Sequence, residues 1–535
     1  VLFIFAVVVC VVYEFRGIPM MAPDILTVQT ATSVMGNYTF KLTFEQYSVI
    51  LVCMAFFFTF LRLHEVKVTE KRVFHIAGFI VVALGCGLFT NQIILSDFME
   101  EHQINIRMFR PMESYQKYGG VLTFARSVGY AVVKKPEGYT TAKVDQIIQE
   151  YEKKSANEQQ STVKQYPNII TVVNETFADI KVLGDFKTNE DYMPYFHSLK
   201  KNCVTGYTYA SIVGGQTANT EFELLTGNTL GFLSAGTTAF QLYIHGQMPS
   251  LVSNLKAEGY SGNKAMHPFN PYNYNRPAVY KDFGFTDFID KFDFPKNVKR
   301  VREYISDEAN VDRIISEYEK NRKKTDQPFY MYNMTIQNHS PYDKDAANFK
   351  QPIKIESSKY DAEANRYLNL IKYSDDSLKQ LTSYFEKCKE PTIILFLGDH
   401  QPRLTDEFMN KITNGQYQTW SSEQMMKRYQ VPFVIWANYD IKEQHIEKTS
   451  MNYIQSILTK TAGVKMTGYQ RFLNEVRKEV PTITSQGYWG KNGKFYQIND
   501  KGSPYYGIIQ KYRMIQYNMM FDKKNRRDSF FEVSK

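Results

Sequence analysis

Apolar residues fall in two regimes along this chain. Over roughly the first 100 positions they form long unbroken runs, and afterwards they form short runs that end in polar residues. The run at 1–13 (VLFIFAVVVCVVY) is almost wholly apolar. A spanning helix needs roughly 20 residues, and a signal peptide opens on basic residues that are absent here. This run therefore reads as part of a transmembrane helix, with more spans expected before Val1. A second span is expected at about 47–63 and a third at about 73–95. The loop between them carries Lys67, Lys71 and Arg72, with Arg62 at the preceding helix end. Short loops rich in Lys and Arg stay cytoplasmic. That orientation puts everything after about Ser96 outside the cytoplasm.

After Tyr166 the pattern changes. NIITVVNET (168–176), FYMYNMTIQNHSPY (329–342), TIILFLGDHQP (392–402) and VPFVIWANYD (431–440) read as buried strands with polar C-terminal ends. Helix-compatible stretches at 359–387 and 452–461 lie among them. Strands alternating with helices predict an α/β domain with a mostly parallel sheet. Such sheets gather their chemistry at the C-terminal strand ends, which singles out Glu175, His339, Asp399 and His400. The stretch between spans and strands contains AKVDQIIQEYEKK, preceded by a turn-like KKPEGY at 134–139. It reads as a helical connector near the membrane surface. Beyond about Thr482, Gly and aromatic residues predict a small strand-and-turn appendage, and KKNRRD at 523–528 reads as a solvated basic tail. The expected organisation is a transmembrane region at 1–96, a connector at 97–161, a catalytic domain at 162–480 and an appendage with its tail at 481–535.

The 535 residues carry a net charge of +9, which suits anionic lipid or acidic polymers. No nucleic-acid module is visible, so no nucleic-acid partner is expected. Cys10, Cys53 and Cys86 lie in apolar runs, where a thiol is a small hydrophobe. Cys203 and Cys388 are left in the remainder, giving neither a disulfide framework nor zinc-ligand spacing. They are one bridge or two free thiols.

Asp399 and His400 directly follow TIILFLG. A carboxylate beside an imidazole can ligate one divalent cation, given a turn that brings both side chains to one side, and Gly398 is expected to permit it. Glu175 ends another strand, so its carboxylate reaches the same ion if the two strands share a sheet. Oxygen ligands with one imidazole suit Mn²⁺, Mg²⁺ or Zn²⁺. Thr217 lies in IVGGQTANTEFELLTG. Gly214 and Gly215 allow a tight turn and close approach of a ligand. The local alternative makes Thr217 a helix N-cap, with Glu221 in a first turn where acid favours the helix. The same geometry serves phosphoryl chemistry, because a helix N-terminus offers free N–H groups to phosphate oxygens and a metal-bound Thr hydroxyl can attack phosphorus.

The ordered set NET, GGQTANTEFE, MHPFNPYNYNRPAVYKDFGF, NHSPY and GDHQP resembles the lipoteichoic acid synthase family, the phosphoglycerol transferase branch of the alkaline phosphatase and sulfatase superfamily. The resemblance covers nearly the whole chain. It implies N-terminal transmembrane helices followed by an extracytoplasmic sulfatase-like α/β domain. It implies that Thr217 is the nucleophile forming a glycerophospho-threonine. Glu175, Asp399 and His400, with Thr217, then hold one divalent ion, usually manganese. His267 and Arg276 line the glycerol phosphate pocket, and His339 lies near the phosphoryl group. The implied donor is a phosphatidylglycerol-like membrane lipid, and the acceptor a cell-envelope glycopolymer or glycolipid. Three positions depart from the family pattern. Gln216 replaces a Lys before the nucleophile, Tyr274 replaces a pocket Trp, and Phe269 replaces an acidic pocket residue. The first two remain candidate substrate contacts. Two other classes compete. A hydrolase of the same superfamily uses water as acceptor, although Thr217-Ala218-Asn219-Thr220 lacks the C/S-x-P-x-R setting of a sulfatase. A silent membrane-bound binding module would be expected to have lost a ligand or the Thr, and none is missing.

Overall fold

The computed structural model describes residues 2–16, 19–22, 44–62, 72–95, 98–102, 104, 111–129, 133–155, 165–234, 237–356 and 361–533. They form two compact units, 1–133 with 234–237, and 134–233 with 238–535.

The first unit is helical. Helices Leu2–Arg16, Phe44–Arg62 and Arg72–Phe89 fall where the three apolar runs lie, and the third continues as a π-helical turn, Thr90–Leu95. Among the described residues one segment, Ile76–Ile94, is long and apolar enough to cross a membrane. Large apolar side chains such as Phe56, Phe57, Phe79, Val81 and Leu84 are exposed on these helices. Lys67 and Lys71, on which the expected orientation rests, lie outside the described residues.

The second unit is built on an eight-stranded sheet. Its strands are β1 (Asn168–Asn174), β2 (Cys203–Tyr209), β3 (Ser261–Met266), β4 (Asp287–Ile289), β7 (Phe329–Met334), β8 (Thr392–Gly398), β9 (Gln430–Ala437) and β10 (Gln444–Ser450). The hairpin β5 (Arg300–Val301) and β6 (Tyr304–Ile305) stands apart from it. The sheet order is β10-β2-β9-β8-β1-β7-β3-β4. Every pairing is parallel except the two made by β9. All seven residues of β1 and all seven of β8 are buried, as expected of central parallel strands covered on both faces. Ile170 and Val172 of β1 pack in one core with Ile314 of helix Asp307–Arg322 and Leu368 and Ile371 of helix Ala362–Phe385. Strand alternation sends Ile169, Thr171 and Val173 to the other face.

The direction of β9 corrects one expectation. Its polar C-terminal end does not join those of β1, β7 and β8. Asn438 lies at the opposite edge, where its side chain accepts from the Thr392 amide at the start of β8 at 2.7 Å.

Helix Thr141–Ser155 belongs to the second unit. Its Glu150 pairs with Lys511 at 2.7 Å, its Asp145 with Arg527 at 2.6 Å, and its Tyr151 ring lies 4.6 Å from Phe472. Arg527 is thus engaged and Lys523 donates to the His245 carbonyl, while Lys523, Lys524, Asn525 and Asp528 stay exposed. The antiparallel strands β11 (Thr482–Thr484), β12 (Gly487–Trp489) and β13 (Phe495–Tyr496) form a small three-stranded sheet. Cys203 and Cys388 are free thiols.

Candidate active site

The centre of the site follows from strand register. β1 and β8 are parallel neighbours with Asn174 opposite Gly398, so Glu175 and Asp399 leave the sheet side by side. Thr176 then takes a left-handed conformation (φ 49°), and its amide donates to Asp399 Oδ1 at 2.7 Å. Gly398 serves differently from expectation. It is not among the positive-φ residues. A Cβ there would lie 1.8 Å from the Phe177 carbonyl oxygen, so glycine is required by close packing of two chain segments, not by a turn.

Asp399 Oδ1 also accepts from the His400 amide at 2.8 Å. Its Oδ2 is buried with no hydrogen bond. His400 Nδ1 lies 2.9 Å from the Gln401 carbonyl, an acceptor only, so Nδ1 carries a proton and Nε2 is the ring nitrogen left to face the cluster. That Nε2 has no hydrogen-bond partner either, and stands 3.1 Å from Asp399 Oδ2 and 3.8 Å from Glu175 Oε1. One ligand atom from each of the three residues lies within 4.8 Å of the others, and all three residues are buried. Burial pushes the Glu175 carboxyl well above the usual range, with Asp399 adding to the effect and Arg276 opposing it. Burial likewise raises Asp399 against the pull of His400. Two crowded carboxylates beside an unpaired imidazole nitrogen are costly alone. They fit a divalent cation, whose charge compensates all three.

Thr217 meets this cluster from a separate element. Gly214 (φ 68°), Gly215 (φ 150°) and Gln216 (φ 63°) make a left-handed turn that starts helix Thr217–Thr226. Gln216 occupies the cap position without a side-chain cap bond, and Thr217 is the first helical residue. The helix-cap alternative for Thr217 is therefore not what forms. Thr217 Oγ1 instead donates to Glu175 Oε2 at a long 3.4 Å, and it also supports the charged form of Asp399. Thr220 Oγ1 donates to the Asp399 carbonyl at 2.8 Å and the Gly214 amide to the Gln401 carbonyl at 3.0 Å. These bonds join the helix start to the β8 loop.

Of the remaining candidates, His267 and Tyr274 follow β3, Arg276 opens helix Arg276–Phe283, His339 follows β7 and Gln216 precedes helix Thr217–Thr226. His267 is buried, with Nδ1 2.9 Å from the Met334 carbonyl. Burial, then the nearby Arg276 charge, hold its pKa well below the usual histidine range, so it is neutral. Arg276 is 1% exposed and donates through Nε (3.1 Å) and Nη2 (2.7 Å) to Glu221 Oε1. Burial opposes its charge and Glu221 more than restores it. The Tyr274 ring lies 5.1 Å from that guanidinium, and Tyr274 itself is left-handed (φ 58°). His339 Nδ1 lies 2.7 Å from the Ser340 carbonyl, and its ring stacks 6.4 Å from Phe269. Desolvation by its neighbours, followed by the Arg302 charge, pulls its pKa down to about 4. Gln216 is half-exposed, with Oε1 3.5 Å from Asn219 Nδ2.

The structure thus brings Glu175, Thr217, Asp399 and His400 into one cluster. Among the described residues no hydrogen bond links His267, Arg276 or His339 to it. Sequence reasoning missed three supporting groups. Glu221 lies beyond the first turn and binds Arg276 rather than favouring the helix start. Thr176 and Asn338 brace the β1 end, the latter donating to the Glu175 carbonyl at 3.0 Å. Their signal is faint: Thr176 and Asn338 each adjoin a singled-out residue, and Glu221 lies one helical turn from one.

The family model for sulfatases matches residues 167–464. The chain belongs to the sulfatase family. Within that family, it is 30% identical over 433 residues to a Rhizobium meliloti (strain 1021) protein named for cyclic beta-1,2-glucan modification, spanning 79% of this chain and 65% of that one. It is 27% identical over 237 residues to the lipoteichoic acid synthase-like protein YvgJ of Bacillus subtilis (strain 168), spanning 44% of this chain and 36% of that one. Proteins named lipoteichoic acid synthase are thus among its relatives. The chain spans less than two thirds of the length of these curated relatives. In fold, this sulfatase-family chain is similar to the Streptococcus pyogenes phosphoglycerol transferase GacH, solved with sn-glycerol-1-phosphate. The TM-score is 0.61 and the identity 20%, over 75% of this chain and all of that one (100%). The Listeria monocytogenes lipoteichoic acid synthase LtaP gives a TM-score of 0.52 at 20% identity, over 72% of this chain and 98% of that one.

Proposed function

We propose that this protein is a membrane-anchored phosphoglycerol transferase that moves glycerol phosphate from a phosphatidylglycerol-like lipid, through Thr217, to a cell-envelope acceptor. The observation that carries this reading is the Thr217 hydroxyl at a helix N-terminus, donating to a carboxylate of a buried Glu175-Asp399-His400 cluster. Glu175, Asp399, His400 and Thr217 would hold one divalent ion, manganese by family resemblance with magnesium or zinc as alternatives, which when bound would supply Lewis acidity at the Thr217 hydroxyl.

Thr217 Oγ1 attacks phosphorus as its proton leaves toward Glu175 Oε2. The new bond is Oγ1–P. The bond that breaks joins phosphorus to the diacylglycerol oxygen, which takes up a proton from solvent and departs. An acceptor hydroxyl then attacks the phospho-threonine and loses its proton to solvent, while the released Thr217 Oγ1 takes back the proton held at Glu175 Oε2. The N–H groups opening helix Thr217–Thr226 face phosphate oxygens. Arg276 adds charge-assisted bonds to the same oxygens. The neutral imidazoles of His267 and His339 exchange protons with glycerol oxygens. Gln216 and Tyr274 line the substrate side. The relatives named for glucan modification and lipoteichoic acid synthesis support an envelope glycopolymer or glycolipid as acceptor. Segment Ile76–Ile94 and the exposed apolar side chains of its neighbouring helices support a multi-span anchor, which holds an extracytoplasmic site near lipid headgroups.

The test is mass spectrometry of the Thr217 peptide after incubation with fluorescent phosphatidylglycerol and Mn²⁺. A glycerophosphate adduct on Thr217 is expected. Thr217→Ala is expected to abolish the adduct and lower turnover by roughly 10³-fold or more, as losses of covalent nucleophiles do. Full turnover by Thr217→Ala would remove Thr217 from the mechanism, and release of free glycerol phosphate without transfer would make water the acceptor.

A further inference from the structure

Glu221 has no assigned role in the chemistry above, yet it is the most heavily engaged carboxylate near it. It follows Thr217 by four residues on helix Thr217–Thr226, and i and i+4 side chains share a helix face. The carboxylate is fully buried, with 0% side-chain exposure against 2% for its partner Arg276. Oε1 accepts from Arg276 Nε at 3.1 Å and from Nη2 at 2.7 Å. Oε2 accepts from the hydroxyls of Tyr280 and, at 3.2 Å, Tyr332. One carboxylate therefore ties the helix that begins with Thr217 to helix Arg276–Phe283 and to strand β7.

A guanidinium has five N–H donors. Two of them go to Glu221 and the Tyr280 hydroxyl engages another, so donors remain for a ligand. The Arg276 charge also bears on Glu175 and His267, so the guanidinium lies within electrostatic reach of both. A buried ion pair is weak as a stabiliser, because desolvation offsets its Coulomb gain and apolar isosteres often do as well. Its value here is geometric. Held at two nitrogens, the guanidinium plane is fixed, whereas a free Arg would have to be ordered on each binding event.

We propose that Glu221 is a positioning residue, which fixes the Arg276 guanidinium relative to Thr217 so that phosphate recognition depends on a carboxylate that never touches the substrate. This rests on the reading of Arg276 as a phosphate-facing group. The shared chemistry of the ligand is a phosphate monoester or diester with a glycerol substituent.

The test is calorimetric titration of the full chain, in detergent and saturating Mn²⁺, with sn-glycerol-1-phosphate. It compares wild type, Glu221→Asp, Glu221→Gln, Arg276→Gln and the double Gln variant, with a Tm for each. Glu221→Asp keeps the charge and withdraws it by one methylene. It is expected to bind at least 10-fold more weakly with little change in Tm. Glu221→Gln is expected to match Arg276→Gln in affinity, and the double variant to be no weaker than either, because all three lose the same oriented guanidinium. Wild-type affinity in Glu221→Asp, or losses that multiply in the double variant, would overturn the proposal. If Glu221→Gln does not fold because the Arg276 charge is left unpaired, Glu221→Asp alone decides. Absence of binding by wild type would instead defeat the phosphoglycerol reading, leaving the two failures distinguishable.

Discussion

Glu223, two residues beyond Glu221 and equally buried, has no cation beside it among the described residues. Its Oε1 accepts from Ser211 Oγ at 2.7 Å, the Leu230 amide at 2.8 Å and Thr229 Oγ1 at 3.3 Å, while its Oε2 is buried without a partner. Burial pushes its pKa from 4.5 up to about 7, against those hydrogen bonds. The folded state therefore holds this proton more tightly than the unfolded state. The contribution is fully present below about pH 4.5 and is lost as pH rises through about 7. The loss is about 3 kcal/mol by pH 8, on the order of 1.4 kcal/mol per pKa unit. Urea midpoints measured from pH 5 to 8 are expected to fall further for wild type than for Glu223→Gln. Parallel curves would assign the pH dependence to other groups. The sequence alone distinguishes these two glutamates poorly. Glu175, Asp399 and His400 are legible because each ends an apolar run, and Thr217 because it follows two glycines. Glu221 and Glu223 sit inside a helix, where a carboxylate ordinarily faces water, and only the tertiary fold shows which finds a cation.

Between elements, the decisive contact is the crossing of the β8 end over the segment after β1. Gly398 is needed there because a Cβ would fall 1.8 Å from the Phe177 carbonyl oxygen. Overpacking of this kind costs about 1–3 kcal/mol, and the forced shift acts directly on the neighbours Asp399 and Phe177. Gly398→Ala is expected to lower both Tm and Mn²⁺ affinity, read by melting and by metal titration. A variant with lowered Tm and unchanged Mn²⁺ affinity would show that the crossing supports the fold but not the ligand geometry. Strands β1, β7 and β8 are legible as near-continuous apolar runs because both their faces are covered. β3 (SGNKAM) and β10 (QHIEKTS) carry too many polar residues to stand out, since β10 edges the sheet and β3 has only the short β4 beyond it. The direction of β9 is not written in its apolar run at all, because an all-buried strand reads the same either way.

For the whole molecule, composition and packing differ on where the unit that carries the eight-stranded sheet starts. Composition suggests a connector ending near 161, whereas the compact unit begins at Lys134. Helix Thr141–Ser155 is polar overall, which is why it reads as a surface connector. Its apolar positions Val144, Ile147 and Tyr151 are nevertheless 0%, 1% and 4% exposed. Burying side chains of this size contributes roughly 1.5–3 kcal/mol each, so the helix supplies on the order of 5 kcal/mol. Its ion pairs with Lys511 and Arg527 are partly solvated and add little. That total is comparable to the net stability of a typical domain. A fragment of residues 134–535 is therefore expected to melt in one cooperative transition and to resist protease. A fragment of residues 162–535, which keeps every candidate site residue, is expected to melt well below it or to aggregate. Equal Tm values for the two would make the helix a dispensable connector. A large difference would show that the segment between the apolar N-terminal helices and the sheet is itself part of the sheet-bearing unit.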